Sequence, residues 1–484
     1  MTERVSLGIP GVDFILDGGL LRGRAYLLAG SGGTGKTIFS LQWLLAGRAE
    51  EKGLYITLSE PTGDVADNIR SFGWDLDGVG IVDLTPNEER PRPEEDYDIF
   101  PPSDVERAPY WEAIYEAIEK HAPQRLVLDS LTNLLYLATD THQFRKNILQ
   151  LVTFLSKRKC TALLLFEPFE LQNDPSVGLA VDGVFRLRMA ISKARAVGVR
   201  DFQVEKMRGS NFLHGMHPLQ ITQEGIKVYP HVTEAVGSAR PALHQLRSAV
   251  EGLDRMLKGG LDSGTTTLLA GPSGVGKSTL AAIFACQSVL QRSEKAVFYS
   301  FEESLDSLLT RCNGLGIPLQ RLIDEKQIKF AHINPMELYP DQFLHRIRLD
   351  VEGGCKVVIV DSVRGYEFAM EEFGKPIAHI LNLNTYLCRQ GVTTILTHES
   401  SSIAGSGHTP EMGISHLADN LLLMRYADDR GRFIKVIGCL KKRVGDFHPE
   451  FRQLLITAEG IQVGDVIVCE GGVVRGISTV QRQP

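Results

Sequence analysis

The chain repeats itself, and that constrains its fold more than any other feature. The decapeptide GVDFILDGGL at Gly11–Leu20 returns as GLDRMLKGGL at Gly252–Leu261, an offset of 241. A glycine-rich run begins at Gly30 and again at Gly271, at the same offset of 241. Apolar runs end in Asp-Ser at Asp129-Ser130 and at Asp361-Ser362, and a Lys-x-Arg recurs at Lys206/Arg208 and Lys441/Arg443. Such markers in one order predict two homologous domains, 1–230 and 248–464, with a polar linker at 231–247 and a short tail at 465–484. At 484 residues the chain is long enough for each copy to bury its own core. The Asp-Ser offset falls to 232, so the first copy carries an insertion. The Pro-rich, acidic stretch 86–109 is the expected place for it, as a solvated surface loop.

Within each copy, continuous apolar runs alternate with helical spacing. Strands are predicted at 25–29, 54–58, 126–128 and 162–166, with a helix at 36–49. The second copy matches with strands at 267–270, 296–301, 357–360 and 393–397 and a helix at 279–289. Uninterrupted apolar strands between helices predict an α/β fold, each domain a largely parallel sheet flanked by helices.

The glycine runs carry chemistry. Gly30-Ser31-Gly32-Gly33-Thr34-Gly35-Lys36-Thr37 fits G-x-x-x-x-G-K-S/T, and Gly271-Pro272-Ser273-Gly274-Val275-Gly276-Lys277-Ser278 fits it again, with Thr279 following. Glycines let backbone N–H groups turn inward around a triphosphate, and the next helix points its positive end at the same anion. Lys36 and Lys277 would sit on the β- and γ-phosphates of ATP, and Thr37 and Ser278 would offer hydroxyls to Mg²⁺. Asp129 and Asp361, at strand ends, are the expected second metal residues, acting through water. Glu302 and Glu303 end the strand after the second loop helix, where a general base is needed. The first copy reads Thr57-Leu58-Ser59-Glu60, with Glu60 as its only carboxylate, so the two sites are expected to differ in hydrolysis.

Composition narrows the class. With 52 Lys+Arg against 59 Asp+Glu, the net charge of -7 argues against a nucleic-acid coat. No apolar run approaches the ~18–20 residues of a membrane span, and the amino end MTERVSLGIPG has no apolar signal core. The 7 cysteines are odd in number and scattered, against a disulfide framework or a Cys-rich zinc site, so a reducing cytoplasm is expected.

The tandem GxDxxLxGGL, phosphate loop, strand-end Glu, Asp-Ser and Lys-x-Arg resemble the KaiC family, double-domain RecA-like ATPases of the cyanobacterial clock. The resemblance covers about residues 5–460. It implies a double-ring homohexamer with ATP between neighbours, where Lys206 and Arg208 reach the adjacent first-tier nucleotide and Lys441 and Arg443 the second. It also implies autophosphorylation on an adjacent Ser-Thr pair. Here Ser415 holds the serine position and His416 the threonine position, which leaves single-site phosphorylation at Ser415 as the expectation. The tail lacks the features of a partner-docking segment, so a signalling or timing ATPase outside the core clock is expected, its protein partner unidentified. A second reading is a DNA-dependent RecA-type motor or recombinase, which would use the basic stretch Arg186, Arg188, Lys193, Arg195 and Arg200. Aromatic interleaving for single-strand stacking is missing there. A third is a nucleotide-dependent scaffold whose first domain binds ATP with little turnover.

Overall fold

The computed structural model describes residues 3–85, 108–138, 140–173, 176–191, 198–231, 244–371, 376–399, 418–429, 431–470 and 479–481. The chain divides into two compact units, Met1–Val232 and Thr233–Pro484, and the division falls inside the stretch expected as a linker. Most of the insertion expected at 86–109 lies outside the described residues.

The first unit is built on β1 (Ala25–Ala29), α1 (Lys36–Gly47), β2 (Gly53–Thr57), β3 (Val79–Asp83), β4 (Arg125–Asp129), β5 (Thr161–Phe166), β6 (Gly183–Ile191), β7 (Gly198–Met207), β8 (Met216–Thr222) and β9 (Gly225–Val228). Its nine-stranded sheet runs in the order β3-β2-β4-β5-β1-β6-β7-β8-β9. The pairings from β3 to β6 are parallel, and those from β6 to β9 are antiparallel.

The second unit uses β10 (Thr266–Gly271), α2 (Lys277–Arg292), β11 (Lys295–Ser300), β12 (Ile328–His332), β13 (Cys355–Asp361), β14 (Thr393–Glu399), β15 (Asn420–Asp429), β16 (Arg432–Lys442), β17 (Arg452–Thr457) and β18 (Gly460–Val466). Their order is β12-β11-β13-β14-β10-β15-β16-β17-β18, the same path as in the first unit. The duplication read from the sequence is therefore a duplication of topology. Two strands are added here: Val468–Glu470 pairs with Thr479–Gln481, and Thr479 bridges to Asp428 of β15. Part of the stretch expected as a tail thus returns to the sheet.

The central strands are buried on both faces. Along β1, Tyr26 and Leu28 enter one core cluster while Ala25, Leu27 and Ala29 enter the other. The period of two in a strand produces that split and explains why the run is apolar throughout. In β10, Leu269 faces one core while Leu268 and Ala270 face the other.

The repeated decapeptide is structural. Asp13 accepts from the backbone N–H of Leu7 at 2.8 Å, and Asp254 accepts from that of Ser248 at 2.7 Å. Gly11 and Gly252 lie against the backbone of the last sheet strands, where an added Cβ would meet the Val228 carbonyl oxygen at 1.9 Å and that of Val463 at 2.1 Å. Each segment then forms a two-stranded hairpin, Arg4–Val5 with Leu20–Leu21 and Gln245–Leu246 with Leu261–Asp262. The second hairpin begins inside the expected linker, because a two-residue strand carries no alternation to read.

Each unit has its own cores, so we expect a fragment of residues 1–232 to unfold cooperatively in urea. Leu164 in β5 is fully buried, and Leu164→Ala should cost that fragment about 2–5 kcal/mol, read as a lower urea midpoint at unchanged slope.

Candidate functional site

Both glycine loops join the end of a buried strand to a helix. Gly35 caps α1 with φ 100° and Gly276 caps α2 with φ 116°, conformations that a side chain would strain. Lys36 Nζ donates to the carbonyls of Gly30 and Ser31 and pairs with Glu167 at 2.8 Å. Lys277 Nζ donates to the carbonyls of Gly271 at 2.9 Å and Pro272 at 2.8 Å. Burial pulls the Lys277 ammonium below its usual value, against the pull of Glu399, Asp361 and Glu302. Thr34 closes the first loop through a hydroxyl bond to Ser31, and Val275 of the second sends its side chain into the core.

The two aspartates lie beside the loop hydroxyls. Thr37 Oγ1 donates to Asp129 Oδ2 at 3.2 Å, and the Tyr55 hydroxyl donates to the same oxygen. Asp361 accepts from Ser278 and Thr397. Burial pushes both carboxyls above their ordinary range, and the hydroxyl donors pull them back. A hydroxyl next to a carboxylate, all hard oxygen, is a donor set suited to Mg²⁺ held jointly with phosphate.

The strand-end carboxylates superimpose in their bonding. Thr57 Oγ1 donates to the Glu60 carbonyl at 2.6 Å, and Ser300 Oγ donates to the Glu303 carbonyl at 2.7 Å. Glu60 therefore corresponds to Glu303, and Ser59 to Glu302. Ser362 donates to Glu302, whereas Ser59 donates to Ser130 at 3.3 Å. Burial, then the charges of Asp129 and Asp64, raise the Glu60 carboxyl. Burial also pulls Glu303 upward, but bonds from Arg311 and Ser307 outweigh it and hold the carboxyl below its usual range. In the second domain Glu302 and Glu303 open on a cleft of about 640 Å³ lined also by Lys277, Arg311, Glu399 and Lys435, among others.

Glu167, Glu399, Arg311 and Lys435 lie outside the motifs legible in the sequence. Glu167 follows β5 and Glu399 ends β14, the equivalent strand, 232 residues apart like Asp129 and Asp361. Arg200 donates to the Gly33 carbonyl at 3.1 Å, and Lys435 donates to that of Gly274 at 2.9 Å. This cationic pair is offset by 235, as the Lys-x-Arg motifs are, so the repeat spacing held the signal.

The Lys-x-Arg motifs lie elsewhere. Lys206 pairs across with Val184, which pairs with Leu27, three residues before Gly30. Lys441 pairs with Leu421, which pairs with Leu268, three before Gly271. At ~3.3 Å per residue, each motif sits about 10 Å back along the strand from its own phosphate loop. Lys206 Nζ donates to the carbonyls of Gly178 and Val181 and Arg208 to that of Leu179; Lys441 donates to the Ala418 carbonyl and Arg443 to Asp419.

In the basic stretch, Arg186 is paired with Glu205 at 2.6 Å, and Arg188 lies 3.9 Å from Asp201. Lys193, Arg195 and Ser415 lie outside the described residues. Among the described residues no helix is long and apolar enough to cross a membrane.

Comparison with known proteins agrees with this geometry. The chain is 27% identical to the circadian clock protein KaiC3 of Synechocystis, over 96% of this chain and 92% of that protein. It is 27% identical to the circadian clock oscillator protein KaiC of Synechococcus elongatus, over 94% of this chain and 88% of that protein. The KaiC ATPase family model matches residues 5–233 and again 246–466, and with two tandem RecA-like domains this chain belongs to the KaiC family of ATPases.

Proposed function

We propose that this chain is a Mg²⁺-dependent ATPase that works as a homohexamer, with each nucleotide held between neighbouring copies. The observation that carries the reading is the placement of the Lys-x-Arg motifs. They lie at the opposite end of the sheet from the phosphate loop of their own domain, so a triphosphate within their reach belongs to another copy. Such a cation reaching in from a neighbour stabilises charge on the phosphoryl group in flight.

Within each copy, the loop N–H groups and Lys36 or Lys277 hold the β- and γ-phosphates. Thr37 with Asp129, and Ser278 with Asp361, would hold Mg²⁺, which supplies charge neutralisation on the phosphates. In the second domain Glu302 takes the proton of the attacking water. The first domain has Ser59 at that place and keeps only Glu60, so it turns over more slowly and chiefly holds nucleotide. A signalling or timing role in the cytoplasm follows the relatives, which are clock proteins, and Ser415 is the acceptor we assign to autophosphorylation. A DNA-dependent motor draws no support from the basic hairpin, since Arg186 is matched by a carboxylate and Arg200 rests on the phosphate loop.

Lys36→Ala and Lys277→Ala should each remove ATP from their own domain, leaving one bound nucleotide per chain by equilibrium binding. Two bound nucleotides in both variants would refute the loop assignments. Light scattering in ATP and Mg²⁺ should give ~300 kDa, about six chain masses. Arg208→Ala and Arg443→Ala should leave nucleotide binding largely intact while lowering turnover at their tiers by about 10³-fold or more. A strict monomer under those conditions overturns the assembly. Glu302→Gln should lower second-domain phosphate release about 10²–10⁴-fold, a larger loss than Glu60→Gln causes in total turnover. The reverse ranking would assign hydrolysis to the first domain.

A further inference from the structure

Glu303 is held from one side. Arg311 grips it with two parallel bonds, Nη1 to Oε1 at 2.8 Å and Nη2 to Oε2 at 2.7 Å, and Ser307 adds a hydroxyl to Oε1 at 2.7 Å. Both donors sit on the helix Leu305–Gly314. The same guanidinium turns its Nε to Thr279 Oγ1 at 2.9 Å, on the first turn of α2. One side chain thus bridges the strand-end carboxylate and the phosphate-loop helix. Lys435, which donates to the Gly274 carbonyl, stands near enough to Arg311 in the same cleft for the two positive charges to repel.

The first domain lacks this bridge at both ends. Asn68 stands eight residues after Glu60, as Arg311 does after Glu303, and makes one bond, Nδ2 to Glu60 Oε2 at 3.2 Å. Ile38 stands where Thr279 would be and has no acceptor. Stability alone is a weak reason for the pair, because the Arg311 side chain is 40% exposed and such pairs contribute little. Two-pronged geometry is what an Arg–carboxylate pair supplies beyond its charge.

We propose that Arg311 is a positioning residue of the second-domain site. It makes Glu303 a strut tied to the phosphate-loop helix and leaves Glu302 as the carboxylate that takes the water's proton. This rests on the ATPase reading above. Arg311 acts through Glu303, by fixing where the strand end and Glu302 stand relative to the γ-phosphate.

The test uses the full chain with Glu60→Gln to reduce first-domain turnover, assayed by phosphate release in Mg²⁺ and ATP. Arg311→Asn and Glu303→Gln should each lower kcat by about 10–100-fold with KM moved less than about threefold. The double variant should be no slower than the slower single, since the two residues act as one unit. Arg311→Lys keeps the charge without the fork and should recover only part of the loss. An unchanged or raised kcat in Arg311→Asn, or losses that multiply in the double variant, would overturn the proposal. Hydrogen exchange of residues 300–305 with ATP bound provides a readout independent of turnover. Faster exchange in Arg311→Asn supports the strut and equal exchange overturns it, even if the parent chain releases no phosphate and the ATPase reading falls.

Discussion

A strand buried on both faces can place chemistry only at its ends. β1 and β10 are such strands, and the rest of each domain follows from that constraint. Their carboxyl ends run into the glycine loops. The parallel strands β4 and β13, one strand removed from β1 and β10, bring Asp129 and Asp361 to the same edge, and β2 and β11 bring Glu60 and Glu302-Glu303 there. Parallel pairing makes this automatic, since every strand end points the same way. The antiparallel strands β7 and β16 reverse direction, so their carboxyl ends carry Lys-x-Arg to the opposite edge. One sheet therefore carries its glycine loop at one edge and its Lys-x-Arg at the other.

That polarity also decided what could be read in advance. The phosphate loop is contiguous in sequence, and its glycines, lysine and hydroxyl state their purpose by spacing alone. The duplication, the parallel sheet and the Asp-Ser strand ends were legible for the same reason. Glu167 and Glu399 were not, because a lone Glu at a strand end has meaning only once that strand is known to lie beside the loop strand. Arg200 and Lys435 reach the loop from a hairpin more than 160 residues away, at Gly33 and Gly274. In the sequence Arg200 belongs to a basic stretch, and only the fold separates a side chain resting on a loop carbonyl from one facing solvent. Arg311 was missed because an Arg on a partly exposed helix face looks like solubility.

The two sites share a backbone and differ in side chains, and the differences fall into two kinds. One kind preserves a bond by another route. Asp129 takes a hydroxyl from Tyr55, whose place in the second domain is Phe298. Asp361 instead takes a hydroxyl from Thr397, whose place in the first domain is Leu165. Each aspartate thus keeps two hydroxyl donors, although the residue supplying one of them changes strand. A buried carboxylate without donors would pay its desolvation in full, so the bond is retained where the residue is not.

The other kind changes the charge. Ser59 against Glu302 and Asn68 against Arg311 make the second site more ionic, and Ile38 against Thr279 adds the hydroxyl that accepts from Arg311. Arg311 sets its cation against Glu303, while Glu302 takes the Ser362 hydroxyl. Lys435 lies near the Arg311 charge and rests on the Gly274 carbonyl. The first domain sets one carboxylate against the neutral Asn68, and burial there raises Glu60 above its ordinary value. The second domain thus adds a carboxylate at Glu302 and a guanidinium on Glu303, so the number of charged groups rises while their signs balance.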